Sequence, residues 1–434
     1  MTSEPRVSQA SDRPPDQAYV WIWLPRATAP VVAGLLAGDG DKLVFNYGRS
    51  YLERPAAISI YQPELPLRRG VQEPLPGLNM PSCIRDGAPD AWGRRVIINR
   101  RFGARRDQID VDQLDELTYL LESGSDRIGA LDFQDSAEAY TPRETAAATL
   151  DEMMQAADRM QQGAALTPEL ERALFHGSSI GGARPKALIV EDGRKYIAKF
   201  STPSDVLNMV KGEYVAMRLA QCVGLDVAPV RLVRTAGRDV LLVRRFDREP
   251  ALAGWTRRAM VSALTLFGLD ERMARYASYE DLCTLIRHRF ANPGATLREL
   301  FGRLVLNILV GNNDDHARNH AAFWDGTQLT LTPAYDICPQ GRAGNETSQA
   351  MLIVGAERMS QLTVCRRAAV NFQLSFGQAD IIIERQVSAI REAWPHVCDE
   401  AGLGAVDRGL MWRRQILNPF AFEGLPEPLA ALGD

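Results

Sequence analysis

Cysteine is scarce in this 434-residue sequence, and its six copies form no Cys-x-x-Cys pair. This pattern is typical of a reducing cytosol and disfavours a disulfide scaffold or a zinc cluster. Long hydrophobic runs are lacking too: Leu304–Val310, interrupted by Asn307, is far shorter than the roughly 18 residues that span a bilayer. Residues 1–17 are polar, lack the apolar segment of a signal peptide and predict a disordered tail. We therefore expect a cytoplasmic protein with no membrane partner.

Charge of one sign is also lacking, because 50 Lys and Arg residues face 54 Asp and Glu residues, for a net charge of -4. An attraction of the whole chain to nucleic acid is therefore unsupported. One segment, residues 94–106, is rich in arginine and could contact DNA or RNA phosphates. In an acidic chain, a solvated helix face is the favoured interpretation of such a segment.

The length predicts about three folding units at roughly 150 residues per domain, or two with a large insertion. Residues 18–140 combine strand-like runs with helical spacing and predict a mixed α/β N-terminal subdomain, followed by a polar linker over 135–144. Two predicted hairpins and a helix capped by Ser204 make residues 141–246 strand-rich, whereas residues 247–434 are predicted to be mostly helical. The sequence thus predicts an α+β chain with two lobes and a cleft between them.

The densest polar segment, residues 312–320, directly follows a predicted apolar helix. Phosphoryl transfer needs a carboxylate to orient and deprotonate the attacking hydroxyl, and oxygen ligands for Mg²⁺. Asp314 and Asn319 have the spacing with which protein kinases supply the base and one metal ligand, and Asp336 follows a short predicted hairpin, as a second metal ligand does. The alternative, a polar loop with Asx turns, suits an isolated Asp pair better than this ordered series.

A lysine and a glutamate upstream extend this pattern. Lys199 lies in a strand-like segment resembling the strand that presents a phosphate-binding lysine in kinases. Glu213, on the following predicted helix, is placed to pair with it. Taken alone, both residues would more often be solvated surface, and their order relative to Asp314 favours a functional role.

Glycine is concentrated in residues 177–186, where backbone amides could approach phosphate oxygens. The same segment fits a hydrolase elbow, Gly-x-Ser-x-Gly, with Ser179 as the nucleophile. That elbow requires a strand before it and a helix after it, and the predicted context is the reverse, which disfavours a hydrolase. His316 and His320 have a spacing compatible with zinc, but no third ligand is evident nearby, so a structural or loop-orienting role is preferred.

These motifs resemble the HipA family, whose members are serine/threonine kinases that act as toxins of bacterial toxin–antitoxin modules. The resemblance covers nearly the whole chain and implies a two-lobed protein-kinase-like fold with an additional N-terminal subdomain and a helical C-terminal lobe. The matching segments are residues 86–94, 179–186, 197–199, 245–248, 313–319 and 333–336.

The resemblance implies that Asp314 is the catalytic base, that Asn319 and Asp336 bind Mg²⁺, and that Lys199 holds the phosphates of ATP. It also implies that Ser179 is autophosphorylated in a loop whose ordering gates ATP access. The segment Arg244–Phe246 would be the hinge that touches adenine, although an acidic residue often replaces Arg244. The other residues expected to bind ATP or support its binding are Ile180, Gly181, Gly182, Ala183, Lys186, Glu213 and His316.

The partners implied by the resemblance are a HipB-like helix-turn-helix antitoxin, operator DNA held through that antitoxin, and a protein substrate such as an aminoacyl-tRNA synthetase. Two alternatives stay open. The pattern Asp314-x-His316-x-x-Asn319 also resembles the loop of phosphoinositide-type kinases, which act on lipids or small molecules. A non-catalytic co-repressor that retains the kinase shell is the other.

Overall fold

The computed structural model describes residues 15–103, 114–143, 148–164, 166–175, 177–179, 182, 184–201, 208–342 and 344–433. Its strands are β1 (Gln17–Ile22), β2 (Val31–Asp39), β3 (Lys42–Tyr47), β4 (Leu131–Gln134), β5 (Lys186–Glu191), β6 (Arg194–Phe200), β7 (Val230–Thr235), β8 (Arg238–Arg244), β9 (Arg248–Ala251), β10 (Gly254–Arg257), β11 (Ala259–Ser262), β12 (Ala321–Trp324) and β13 (Leu329–Leu331). Its α-helices are α1 (Arg49–Leu52), α2 (Ser82–Arg85), α3 (Ala91–Phe102), α4 (Glu116–Glu122), α5 (Leu150–Gln161), α6 (Pro168–Phe175), α7 (Met209–Cys222), α8 (Ala263–Phe267), α9 (Tyr279–Arg289), α10 (Pro293–Leu309), α11 (Leu362–Ala368), α12 (Phe376–Glu400) and α13 (Ala405–Met411).

The N-terminal domain is built on an antiparallel sheet in the order β3-β2-β1-β4. Successive side chains of a strand point to opposite faces, and the face carrying Val20, Leu36 and Phe45 is fully buried. Gly40, with a φ of 63°, makes the tight turn between β2 and β3. Helices α3 and α4 lie between β3 and β4 in the chain, and α3 begins at Ala91, beside the cleft described below.

A second antiparallel sheet, in the order β5-β6-β8-β7, forms the strand-rich lobe. Its first hairpin turns at Asp192 and Gly193, which both have positive φ, as the tightest hairpin turns require. Helix α5 begins with a capping box between Thr149 and Glu152, and its buried Met153 belongs to an apolar cluster that covers the sheet. The register places Lys186 of β5 directly opposite Lys199 of β6.

The helical lobe is centred on α10, which is buried along most of its length. Asn292 caps its first turn and Pro293 occupies the first helical position, where a missing N–H costs nothing. Gly311, with a φ of 70°, follows its end and redirects the chain into residues 312–320. The polar segment is thus held at the end of a rigid, buried helix.

The predicted α+β arrangement with two lobes and an N-terminal subdomain is present, but residues 247–434 contain more strands than the sequence predicts. Residues 248–262 form three short strands, of which β9 and β10 make a hairpin and β11 pairs with β12. Each of these strands has four residues, too few for an alternating pattern to stand out from the sequence. Their pairing is decided by the neighbouring strand instead.

Two predicted boundaries also differ. Helix α7 begins at Met209 and is capped by Asn208, whose side chain accepts from Lys211 N, while Ser204 lies outside the described residues. Strand β1 begins at Gln17, the last residue of the predicted tail, and residues 1–14 lie outside the described part. The segment predicted as a linker contacts the N-terminal sheet, since Tyr140 packs against Trp21.

All six cysteines are free thiols, in agreement with the absence of paired motifs. Among the helices in the described ranges, none is both long and apolar enough to span a bilayer.

Candidate active site

A cleft of about 270 Å³ opens where the N-terminal domain and the two lobes meet. The N-terminal domain supplies part of its wall, including Asp86, Asp90 and residues 128–131. The sequence-predicted residues that line it are Ser179, Gly182, Lys186, Lys199, Arg244, Phe246, His316, Asn319 and Asp336. The structure therefore brings most of the predicted site residues to one cavity.

Lys199 makes the central contacts of this cleft. Its Nζ donates to Glu213 Oε1 at 2.6 Å and also donates to the carboxylate of Asp336. Lys199 comes from β6, Glu213 from α7, and Asp336 from the segment after β13. One ammonium group thus joins both lobes.

The charges of this trio depend on one another. Although burial lowers the pKa of Lys199, the carboxylates of Asp336 and Glu213 hold it above its usual range. Lys199 holds the pKa of Asp336 well below its usual range, whereas burial raises the pKa of Glu213. Lys199 is therefore cationic and Asp336 anionic at neutral pH.

Asp314 follows α10 and is exposed, while its neighbour Asp315 is buried. Asn319 Nδ2 donates to the backbone carbonyl of Asp314 at 3.0 Å, which fixes the loop between them. Partial burial raises the pKa of Asp314, as do the carboxylates of Asp336 and Asp315, against an opposing effect of His316. A carboxylate with a raised pKa is a stronger base than one in water.

Asp315 is committed to an internal network. It accepts a hydrogen bond from the Tyr279 hydroxyl and lies 2.9 Å from His320 Nε2. Burial raises the pKa of Asp315, but His320 and Tyr279 outweigh it and hold the pKa below its usual range. Of the two adjacent carboxylates, Asp314 is the one that a substrate can reach.

The residues expected to bind Mg²⁺ have suitable oxygen donors. Asp336 is ionised, and the amide nitrogen of Asn319 is used by the Asp314 carbonyl, which leaves the amide oxygen as a ligand. Proteins usually hold Mg²⁺ through one or two such oxygens, with substrate phosphates and water completing the octahedron. Both residues line the same cleft, so the donor set fits this cation.

Ser178 and Ser179, at the start of the glycine-rich loop, are buried. Ser179 is only 3% exposed, and the adjacent Ser178 Oγ accepts from Gly124 N at 2.9 Å. The hydroxyl of Ser179 is therefore inaccessible to an outside group in this arrangement. The predicted loop residues Ile180, Gly181 and Ala183 lie outside the described part of the chain.

Lys186 is a second basic residue that lines the cleft, next to this loop. Burial and the positive charge of Lys199 lower its pKa to about 8. Gly182 has a φ of 103°, which favours glycine, and a Cβ atom there would lie 2.0 Å from Lys186 Nζ, so the end of the lysine side chain would have to move. The ammonium and the loop backbone are thus in close contact.

The predicted hinge connects β8 to β9. Arg244 and Phe246 both line the cleft. The backbone amides of Arg244 and Arg245 donate to the carbonyls of Pro229 and Lys195, at 2.9 Å each, so neither can donate to a nucleotide base. Sequence reasoning could not separate these committed amides from an available one.

A buried ionic network fastens the N-terminal domain to this hinge. Arg245 pairs with Asp247 at 2.7 Å and with Asp126 at 3.1 Å, and Arg248 pairs with Asp126 at 3.0 Å. Although burial raises the pKa of Asp126, Arg245 and Arg248 hold it well below its usual range. The hinge position therefore depends on a domain outside the two lobes.

Both histidines make contacts within the fold. His320 is held by Asp315 and Tyr279, whereas the Nδ1 of His316 accepts from Arg318 N at 3.2 Å. Within the ranges the structure describes, no three His, Cys, Asp or Glu side chains converge on a metal position.

The arginine-rich segment is partly neutralised from within the domain. Arg94 pairs with Glu116 at 2.7 Å, and Arg101 pairs with Glu122 at 2.8 Å. Arg105 and Arg106 lie outside the described residues. The two internal pairs reduce the charge that this helix can offer to a nucleic acid.

Asp90 and Arg318 lie inside the matching segments 86–94 and 313–319, but the sequence alone indicates no role for either. Asp90 accepts from Gly182 N at 2.7 Å and from Arg318 Nη1 at 3.0 Å. In the sequence, Asp90 stands out only because it directly precedes a predicted helix, and an aspartate in that position is usually interpreted as a helix cap.

The two lobes, the lysine held by a helix glutamate and the exposed aspartate after a buried helix define a protein-kinase-like fold. Residues 27–134 match the model of the HipA N-terminal domain, and residues 178–394 match that of the HipA-like C-terminal domain. The chain belongs to the HipA family, which confirms the resemblance inferred from the motifs.

Individual relatives agree with this assignment. The serine/threonine-protein kinase toxin HipA of Shewanella oneidensis is 27% identical over 184 residues, which cover 37% of this chain and 42% of the relative. A Haemophilus influenzae relative is 29% identical over 205 residues, covering 42% of this chain and 59% of the relative. The matches thus span about half the length of these curated relatives.

The fold is shared with a solved structure, Shewanella oneidensis HipA in a complex with HipB and operator DNA. The TM-score is 0.65 at 19% identity, and the superposition covers 92% of this chain and 96% of that one. The two-lobed α+β fold with its N-terminal domain is therefore confirmed.

Proposed function

We propose that this protein is an ATP-dependent serine/threonine kinase that acts as the toxin of a bacterial toxin–antitoxin module. The contact of Lys199 with both Glu213 and Asp336, close to the loop that carries Asp314, is the observation that carries the proposal. The relative named as a serine/threonine-protein kinase toxin supports it.

In this proposal, Lys199 binds ATP phosphates and Glu213 keeps its ammonium in place. Asn319 and Asp336 would hold Mg²⁺, which would offset the negative charge of the phosphates. Lys199 contacts Oδ1 of Asp336, so Oδ2 of the same carboxylate would be the oxygen offered to the cation. The donors that serve the nucleotide are thus paired with each other before it arrives.

Asp314 orients the hydroxyl of the substrate and takes its proton. The oxygen of that hydroxyl forms a bond to the γ-phosphorus as the bond to the leaving ADP oxygen breaks. Exposure of Asp314 and internal pairing of Asp315 support this choice of base.

A labelled-phosphate experiment tests the proposal. The full chain is incubated with γ-labelled ATP, Mg²⁺ and cell lysate, and Asp314→Asn serves as the matched inactive variant. Labelled proteins that carry phosphoserine or phosphothreonine only with the wild type are expected, with aminoacyl-tRNA synthetases the first class to look for. Label in lipids or small molecules would favour the alternative kinase, and no transfer at all would favour a non-catalytic shell.

Ser179 is proposed as a self-inhibitory switch. Phosphorylation adds about -1.5 to -2 charges and three acceptor oxygens, which the buried site around Ser179 cannot hold. The modified loop would therefore leave the cleft and withdraw its amides from ATP. Wild type and Ser179→Ala are incubated with Mg²⁺·ATP, and mass mapping is combined with nucleotide affinity. One phosphate on Ser179 and a large loss of affinity in the wild type alone are expected, and unchanged affinity after full modification contradicts the switch.

A HipB-like antitoxin is the proposed partner, because the solved structure that shares this fold contains HipB and operator DNA. With a net charge of -4 and with Arg94 and Arg101 paired internally, the chain alone should bind DNA weakly. We expect operator binding only when a basic helix-turn-helix partner is present, measured by mobility shift at several salt concentrations. Specific, salt-sensitive binding by the chain alone would contradict this.

A further inference from the structure

Asp90 lies at the N-cap of α3 with an extended backbone, where an aspartate normally accepts from its own helix. Its side chain makes no such bond. Asp115, in the same position before α4, does cap its helix by accepting from Thr118 N at 2.8 Å. The side chain of Asp90 is therefore used for something other than its own helix.

Both carboxylate oxygens of Asp90 reach distant parts of the chain. Oδ2 accepts from the Gly182 amide at 2.7 Å, and Oδ1 accepts from Arg318 Nη1 at 3.0 Å. Gly182 belongs to the glycine-rich loop, and Arg318 lies between Asp314 and Asn319 in the catalytic segment. A residue of the N-terminal domain thus links the two loops that would meet the phosphates of ATP.

Helix α3 holds the same loop at two more points. Trp92 N donates to the Gly182 carbonyl at 3.1 Å, and Trp92 Nε1 donates to the Lys186 carbonyl at 3.1 Å. Gly93 lets the helix approach, because a Cβ atom there would lie 2.5 Å from the Ser178 carbonyl oxygen. The start of α3 is therefore a preformed seat for Ser178, Gly182 and Lys186.

We propose that Asp90 is a positioning residue that sets the glycine-rich loop and Arg318 in the geometry that binds the phosphates of ATP. This inference rests on the proposed kinase function. If Asp90 has this role, the N-terminal domain is part of the nucleotide site. The sequence alone placed the ATP-binding residues only in the two lobes. Arg318 would be oriented through its bonds to Asp90 and Glu271, and the loop backbone through the bond of the Gly182 amide to Asp90.

The test compares Asp90→Ala and Asp90→Asn with Asp115→Ala, which removes the neighbouring helix cap of the same domain. Affinity for Mg²⁺·ATP is measured by calorimetry, transfer rate at saturating ATP by label incorporation, and stability by thermal melting. For Asp90→Ala we expect an affinity loss of about tenfold, equivalent to about 1.4 kcal/mol, with a transfer rate within about threefold of wild type. The ATP affinity of Asp90→Asn should lie between those of wild type and Asp90→Ala. Its amide oxygen can still accept from Gly182, but it carries no charge to pair with Arg318. Asp115→Ala should melt earlier with unchanged affinity.

Unchanged or tighter ATP binding in Asp90→Ala would overturn the inference, the latter because the carboxylate would then compete with the nucleotide. An equal affinity loss in Asp115→Ala would also overturn it, since the effect would be general damage to the domain. If Asp90→Ala fails to fold, Asp90→Asn decides the question, and wild-type affinity in that variant refutes it. Failure of the wild type itself to bind ATP would count against the proposed function, not against the role of Asp90.

Discussion

Replacing Lys199 with methionine separates its structural from its functional role. The substitution keeps most of the side-chain volume and removes the charge that Glu213 and Asp336 share. The Glu213 side chain is 8% exposed and that of Asp336 is 46% exposed, so the two contacts contribute differently to the free energy of unfolding. Leaving a buried carboxylate unpaired costs about 3 kcal/mol or more, whereas a half-exposed pair contributes about 1 kcal/mol at most. We expect a loss of about 3 to 4 kcal/mol at neutral pH, mainly through Glu213.

This loss should depend on pH. The depressed pKa of Asp336 contributes stability above its unfolded pKa, near 4, and this contribution disappears as the pH falls through the folded value. Burial raises the pKa of Glu213, a shift that costs stability once the pH exceeds its unfolded pKa and that grows when Lys199 is absent. The Glu213 effect makes the gap between wild type and Lys199→Met larger at pH 7 than at pH 4, and the loss of the Asp336 contribution narrows it further at still lower pH.

Urea unfolding followed by circular dichroism at pH 7 and pH 4 measures the gap. Adding Glu213→Gln to Lys199→Met should restore much of the stability, because no buried charge is left unpaired, but should not restore ATP binding. Equal stability of wild type and Lys199→Met at pH 7, or a gap that widens at pH 4, would refute the reasoning.

Three further outcomes are expected. Asp314→Asn should slow phosphoryl transfer by about 10² or more with nearly unchanged ATP affinity, whereas Asp315→Asn should mainly lower the melting temperature; near-wild-type turnover in Asp314→Asn would mean that the wrong carboxylate was chosen. Because the pKa of Lys186 is about 8, ATP affinity should fall as the pH rises from 7 to 9, and calorimetry on Lys186→Arg should show no such fall. Asp126→Asn leaves Arg245 and Arg248 short of a partner in a buried network and should lower stability by about 3 kcal/mol, with faster proteolytic release of the N-terminal domain.

Several features followed from the sequence because they depend on local rules. The first predicted hairpin, which turns at Asp192-Gly193, and the predicted apolar helix before residue 312, α10, each depend on residues that are close in the chain. The order of the motifs was sufficient to indicate the HipA family and the kinase-like fold.

Other features were decided by contacts between residues far apart in the chain. Nothing in the pair Asp314-Asp315 says which carboxylate is exposed, and Tyr279 and His320 decide it by burying the second. The short strands β9–β11 depend in the same way on pairing, because four residues carry too little pattern.

The contacts of Asp90 with the glycine-rich loop show most clearly what the sequence alone cannot predict. By its own sequence, Asp90 is a helix cap, yet in the fold it bonds Gly182 and Arg318, which lie 92 and 228 residues further along the chain. The sequence determined the chemical groups and their local conformations. Only the tertiary structure decided which of them meet, because the energy of a carboxylate depends on the donors that folding brings within about 3 Å of it.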